Sequence, residues 1–239
     1  MAAKRIVIAS HNRSKSKEIA MLLEQGLRDL GVEVALLADY PNAPQPDETA
    51  DTYVGNAIIK ARACTQFTGE IALADDAGLE IDALNGQPGR FSRRFAGEAT
   101  PFPVKMGILL NMLSAVPEER RTARFRCAIA IATPAGDLCT FEDTFAGRIT
   151  HAPRGQAGFG YDPIFYVPEL GCTLAQGDDL TVRDQRLWLR TLEGLPAPQL
   201  VLPNACDFGY GRFLLDARSL AAARVRFSSS ATATKFEPL

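Results

Sequence analysis

Two carboxylates stand side by side in "ALADDAGLEID", residues 72–82: Asp75 and Asp76 follow an apolar run and precede a glycine. Charges this close raise each other's energy unless a cation or hydrogen-bond donors neutralise them. Magnesium suits such a pair, because it takes oxygen ligands, keeps several waters and is usually held by one or two carboxylates plus substrate phosphates. Glu48, in an acidic loop, is a candidate further ligand. The plain alternative is a pair of strand-end caps facing water. A second stretch, "SHNRSKSKE" at 10–18, leads from an apolar run into a helical pattern. Helix starts carry unpaired N–H groups and partial positive charge, to which Ser10, Asn12 and Lys15 add hydrogen bonds and a full charge. That combination suits a polyphosphate, although the GxxxxGK[ST] pattern is absent. The alternative is a capped turn at a solvated basic helix start. A third stretch, "GQAGFGYDPIFYVP" at 155–168, places Phe159, Tyr161, Phe165 and Tyr166 among glycines. Glycine lets backbone approach a ligand, and an aromatic ring can stack on a planar base. Asp162 can accept from a base or ribose, or fix the loop; a tight aromatic core turn competes with both. Asn56 and Lys60, four apart, share a helix face, so Lys60 is either a second phosphate-facing cation or a solvated lysine.

The elements that must hold these groups follow from periodicity. "RIVIAS" (5–10) reads as a short buried strand, and the helix after it has Ile19, Leu22, Leu23, Leu27 and Leu30 on one face. "VEVALLAD" (32–39) reads as a strand and "YPNAPQPDETAD" as a loop. Residues 52–67 form a helix with Val54, Ile58, Ala61 and Thr65 in one stripe and Asn56 and Lys60 on another face. "IALADD" is a strand that ends at the carboxylate pair, and 103–116 a helix. In 123–133, Phe125, Cys127, Ile129 and Ile131 alternate with polar positions including Arg124 and Arg126; the "PAGD" turn and "LCTFEDTFAGRI" complete a hairpin. Helices alternating with strands, then a hairpin, imply a mixed α/β sheet. Beyond 180, a helix capped by Thr181 with Asp184 three residues on, a stop at Gly194 and Pro196, a helical "DARSLAAARVRF" and a frayed tail are expected.

The 239 residues suffice to bury a core without disulfides or structural metals. A net charge of −2 provides no global field for a nucleic-acid polymer or an acidic lipid surface. The five cysteines are odd in number and show no CxxC spacing, which fits reduced thiols in the cytoplasm. Two histidines make no zinc pattern. The N-terminal apolar run is too short for a signal peptide, and no run approaches the ~18 apolar residues of a membrane span.

In order along the chain, "IVIASHNRSKSKEI", "ETADTYVGNAIIKARA", "ADDAGLEIDALNGQPGRFSRRFAG" and "GFGYDPIFYVPELGCTLAQ" resemble the motif blocks of the Ham1-like inosine triphosphate pyrophosphatase family, over residues 5 to about 176. The resemblance implies an elongated mixed α/β sheet flanked by helices, with two lobes and a central cleft. It implies a homodimer that hydrolyses non-canonical purine nucleoside triphosphates (ITP, dITP, XTP) to monophosphate and pyrophosphate with Mg²⁺. By motif, Ser10, His11, Asn12, Lys15, Asn56, Lys60 and Ala77 would contact substrate. Phe159, Gly160, Tyr161 and Asp162 would form the base pocket. Glu48, Asp75 and Asp76 would bind the metal, with Asp76 the base that activates water. Residues 1–180 would be the pyrophosphatase domain and 181–239 a divergent C-terminal segment. Three departures stand out: Ala77 replaces the family's serine, His11 replaces a glycine, and the family's SHR motif is absent from "GDDLTVRDQRLWLRTLEGLPAPQLVLP". They leave a competing expectation, a nucleotide-binding protein with impaired catalysis.

Overall fold

The computed structural model describes residues 4–28 and 31–176. Its strands are β1 Lys4–Ile8, β2 Val32–Leu36, β3 Ile71–Ile81, β4 Pro88–Gly89, β5 Thr122–Ala132, β6 Leu138–Ile149, β7 Phe165–Val167 and β8 Cys172–Thr173. They form one mixed sheet in the order β2-β1-β3-β5-β6-β7-β8, with β4 on the edge of β3. β1 runs parallel to both β2 and β3, and every pairing after that is antiparallel. The change follows the connections. Helical crossovers α1 (Arg13–Arg28) and α2 (Tyr53–Thr68) return the chain to run parallel, whereas the short turn between β5 and β6 reverses it. The mixed α/β sheet is thus borne out.

Strand alternation assigns the helices to faces. Val7, Ala72, Ala74, Ala130 and Ala132 pack with Ala57, Ala61 and Cys64 of α2. Small side chains on both surfaces let α2 lie close over β3 and β5. Ile6, Ile8, Leu73, Cys127 and Ile129 face the other way, onto Ile19 and Leu23 of α1. Farther along that second face, Leu79, Ile81, Ala123 and Phe125 pack with Met106 and Leu109 of α3 (Phe102–Met112) and with Leu113, which caps its C-terminal end. Two apolar clusters therefore share one face of the sheet, and Ala77 touches both. It marks the seam between them.

Several boundaries differ from the sequence reading. β2 stops at Leu36, because residues 37–39 tighten into a 3-10 turn closed by Tyr40 N–H donating to Leu37 O. The buried face of α2 carries Tyr53, Asn56, Ala57, Ala61, Cys64 and Thr65, so Asn56 lies within the inward face rather than apart from it; Val54 and Ile58 are only half-buried. Asn56 tolerates burial because its amide is hydrogen-bonded at both ends, as described below. α3 ends at Met112, short of 116, because the buried Arg121 guanidinium takes up the Leu113 and Val116 carbonyls. The aspartate pair does not end its strand: β3 continues five residues past Asp76. The helices and tail expected beyond 180 lie outside the described residues.

Candidate active site

Pairing along β3 explains why its middle can carry charge. On one edge β5 pairs with it continuously from Ala72 to Ile81. On the other, β1 pairs only with Ile71–Leu73, and β4 only with Leu79 and Glu80. Between them, residues 74–78 have no strand on that edge among the described residues. β1 leaves because the chain turns at Ser10, after Ala9 N–H makes a last bond to Leu73 O at 2.7 Å. Backbone polar groups of successive strand residues point to alternate edges. Leu73, Leu79 and Ile81 bond on the open side: Leu79 N–H donates to Ser92 Oγ at 2.8 Å and Ile81 N–H to Gln87 O at 3.2 Å. Asp75 and Ala77 therefore turn their backbone groups into the gap.

The two carboxylates leave β3 on opposite faces and find different helices. Asp75, 3% exposed, forms an ion pair with Lys15, in the first turn of α1. Asp76, 8% exposed, accepts from Lys60 Nζ at 3.1 Å and from Asn56 Nδ2 at 3.1 Å, one turn apart on α2. Lys60 Nζ also donates to Glu48 Oε1 at 3.0 Å. Asn56 Oδ1 accepts from Ala50 N–H at 2.9 Å, which ties the acidic loop to the same helix. Thr52, whose side chain accepts from Gly55 N–H, caps the start of α2, and Gly69 in the left-handed region ends it.

Charges in this cluster shift one another. Burial raises the Asp76 carboxyl, aided by Glu48, and outweighs the opposing effects of Lys60 and Asn56. Burial also acts against the Lys60 ammonium, but Asp76, Asp75 and Glu48 hold its pKa above the ordinary lysine value. Glu48 lies below its usual value: burial pushes it up, and Lys60, Arg94 and Arg93 together pull it further down. A raised carboxyl beside a firmly charged ammonium gives one group suited to accept a proton and one suited to stabilise negative charge.

The remaining sequence candidates fall into two groups. Ser10 and Asn12 shape the start of α1: Ser10 Oγ accepts from Asn12 N–H at 3.2 Å, and Asn12 Oδ1 accepts from Lys15 N–H at 3.2 Å. Ser16, fully buried, donates back to the Ser10 and Asn12 carbonyls. His11 is exposed, with Nε2 3.1 Å from Pro44 O, so it meets the loop that leads to Glu48. In the glycine-rich turn before β7, Asp162 is fully buried and accepts from Phe159 N–H at 3.1 Å, while Gly158 and Gly160 both have a φ of 68°. Tyr161 is fully buried in the α3 cluster, its hydroxyl donating to Ser92 O at 3.0 Å and its ring meeting Phe102 edge-on. Lys15, Asn56, Lys60, Glu48, Asp75 and Asp76 are thus brought together. The 159–162 turn is tied to the Ser92 backbone, two residues from Arg94, by the Tyr161 hydroxyl.

Two contributors escaped the sequence reading. Arg94 Nη2 lies 3.0 Å from Glu48 Oε2, across 46 residues. Lys105, 1% exposed in α3, donates to Arg93 O and sits 5.0 Å from the Phe102 ring. A lysine within the apolar "PVKMGILL" was a usable signal for the second; nothing in "FSRRF" tells which arginine turns to the acidic loop. Among the described residues, no three acidic, histidine or cysteine side chains enclose a metal position. The donors present are nevertheless all carboxylate oxygens, and Glu48 and Asp76 flank one ammonium. They fit a hard cation such as magnesium that takes over counter-charge from one of their basic partners.

The chain matches the Ham1 family over residues 6–182, and it belongs to that family. It is 47% identical over 174 residues to the dITP/XTP pyrophosphatase of Desulforamulus reducens, covering 73% of this chain and 85% of that one. It is 42% identical to the dITP/XTP pyrophosphatase of Vibrio cholerae over 177 residues, 72% of this chain and 85% of that one. Among solved structures, a HAM1 protein from Coxiella burnetii superposes with a TM-score of 0.66 at 39% identity, covering 80% of this chain and 96% of the other. The Staphylococcus aureus Ham1 protein gives 0.65 at 34% identity, covering 81% and 100%.

Proposed function

We propose that this Ham1-family chain hydrolyses non-canonical purine nucleoside triphosphates, dITP, XTP and ITP, to the monophosphate and pyrophosphate. The observation that carries the reading is the gap on the β3 edge, where Lys15 and Lys60 meet Asp75, Asp76 and Glu48. Relatives of 41–47% identity that bear the name dITP/XTP pyrophosphatase support it. The competing expectation of binding without turnover is not favoured, because relatives that bear the pyrophosphatase name match 72–73% of the chain.

In this reading Lys15 and Lys60, while keeping their carboxylate partners, also offer ammonium N–H groups to phosphate oxygens. Asp76, held in place by Asn56, orients a water against the α-phosphorus and takes its proton as the α–β anhydride breaks. Glu48, Asp75 and Asp76 would hold magnesium, which when bound neutralises phosphate charge and polarises the reacting group. Ser10, His11 and Asn12 form the phosphate-facing start of α1. Ala77 presents its N–H, and Phe159 stacks on the purine with Gly160, Tyr161 and Asp162 shaping the pocket. Residues 1–180 act as the catalytic domain of a cytoplasmic homodimer, followed by the divergent 181–239 segment.

Incubation of purified protein with dITP and Mg²⁺ should release dIMP and pyrophosphate in equal amounts. Release of orthophosphate with dIDP, or no turnover of dITP, XTP or ITP, rejects the assignment. Light scattering on the same sample should return twice the 25.9 kDa chain mass.

A further inference from the structure

Both oxygens of Glu48 are already occupied by cations. Lys60 Nζ lies 3.0 Å from Oε1 and Arg94 Nη2 lies 3.0 Å from Oε2. Three carboxylates, Asp75, Asp76 and Glu48, are matched by Lys15, Lys60 and Arg94. A carboxylate neutralised on both oxygens is a poor ligand for a divalent ion, so metal binding by Glu48 must displace one of its cations. The two are not equivalent. Lys60 has Asp76 as a second carboxylate, and its side chain is 19% exposed. Arg94 has Glu48 as its carboxylate partner among the described residues, and its side chain is 40% exposed.

The backbone next to Arg94 is fixed while its guanidinium is accessible. Ser92 Oγ accepts from Leu79 N–H and donates to Gly89 O at 2.7 Å. Tyr161 donates to Ser92 O, and Lys105 to Arg93 O. Arg94 is thus mounted beside the β4 end of the gap, opposite the α1 start at its β1 end. A triphosphate lying along the gap would run from one to the other. The guanidinium fork that now meets a carboxylate matches a phosphate equally well.

We infer that Arg94 is a substrate-binding residue that exchanges partners: it neutralises Glu48 until a divalent ion takes that carboxylate, and then binds a phosphate of the nucleoside triphosphate. The inference rests on the pyrophosphatase reading above. It predicts opposite effects of one substitution on two ligands, which a merely structural arginine does not produce. In Arg94→Ala, Mn²⁺ binding without nucleotide, measured calorimetrically, should tighten about 3-fold or more, because a competing cation is gone. Binding of α,β-methylene-dITP with Mg²⁺ should weaken about 10- to 100-fold. Arg94→Lys keeps a point charge and should recover part of the analogue affinity. Unchanged or weaker Mn²⁺ binding, or undiminished analogue binding, overturns the exchange. Weakening of both ligands together with a lowered Tm also overturns it, as the mark of a structural prop. If wild type turns dITP over to dIMP and pyrophosphate while Arg94→Ala binds both ligands as wild type does, this inference alone falls. If wild type neither binds the analogue nor turns over dITP, the pyrophosphatase reading falls with it.

Discussion

Asp76 is held by two donors on one helix, and its carboxyl is raised chiefly by burial. A raised carboxyl makes the ionised form a cost to folding, absent below the ordinary value of 3.8, growing as pH rises and complete above the folded value. Asp76→Asn should therefore lose about 10²- to 10⁴-fold in dITP turnover, yet melt no lower than wild type at neutral pH without metal. A Tm several degrees below wild type would show that the charge supports the fold instead. Lys105 has the converse shift. Burial, then Arg93, lowers its pKa below 10.5 against a weaker pull from Glu98. Such a lysine costs stability while protonated, and the cost fades as pH rises from the lowered value towards 10.5. Urea midpoints should show wild type gaining on Lys105→Met across that alkaline window; a constant difference would refute the assignment. At this scale the sequence was legible where a motif block named the residue, as for Lys15 and Asp76. It was illegible where a contact depends on how a distant loop folds back, as for Arg94 on Glu48.

The elements show the same division. Periodicity located the three helices and the β5–β6 hairpin, because each declares itself in one contiguous stretch of sequence. It misplaced the end of β3. The local pattern puts two charges where the apolar run stops, and only the flanking partners, β5 throughout and β1 and β4 at the ends, explain why the strand continues. The glycine two residues past the pair is part of that arrangement. A Cβ at Gly78 would run into the Gly89 carbonyl and the Tyr53 hydroxyl, forcing β4 off the edge it closes. Gly78→Ala should cost about 1–3 kcal/mol in denaturant unfolding. A neutral result would mean that β4 is not a fixed boundary of the gap. Arg121 performs a comparable task for α3. Its guanidinium donates to the Leu113, Val116, Ile149 and Thr150 carbonyls, joining the helix end to β6 and the loop after it. Arg121→Met strands those carbonyls in the interior and should destabilise by about 3–5 kcal/mol. Equilibrium unfolding within 1 kcal/mol of wild type would show that water replaces the donors.

Across the molecule, the mixed sheet places two apolar clusters on one face with Ala77 at their seam, and a third cluster on the other. The gap in β3 lies where these layers meet, so its charges draw on α1, α2 and the loops around Glu48 and Arg94 at once. Family membership was legible from four ordered blocks; the electrostatic balance of the site was not, because it is a property of side chains from every layer. The gap also gives the protein a built-in isotopic signature. Along β3 the amides of Ala74, Asp76 and Gly78 face β5, and those of Asp75 and Ala77 face the opening. In deuterated water the first set should retain protium far longer than the second, an alternation inside one continuous strand. A bound triphosphate should slow Asp75 and Ala77 and leave their neighbours as they were, so a two-dimensional NMR spectrum can report occupancy without any turnover.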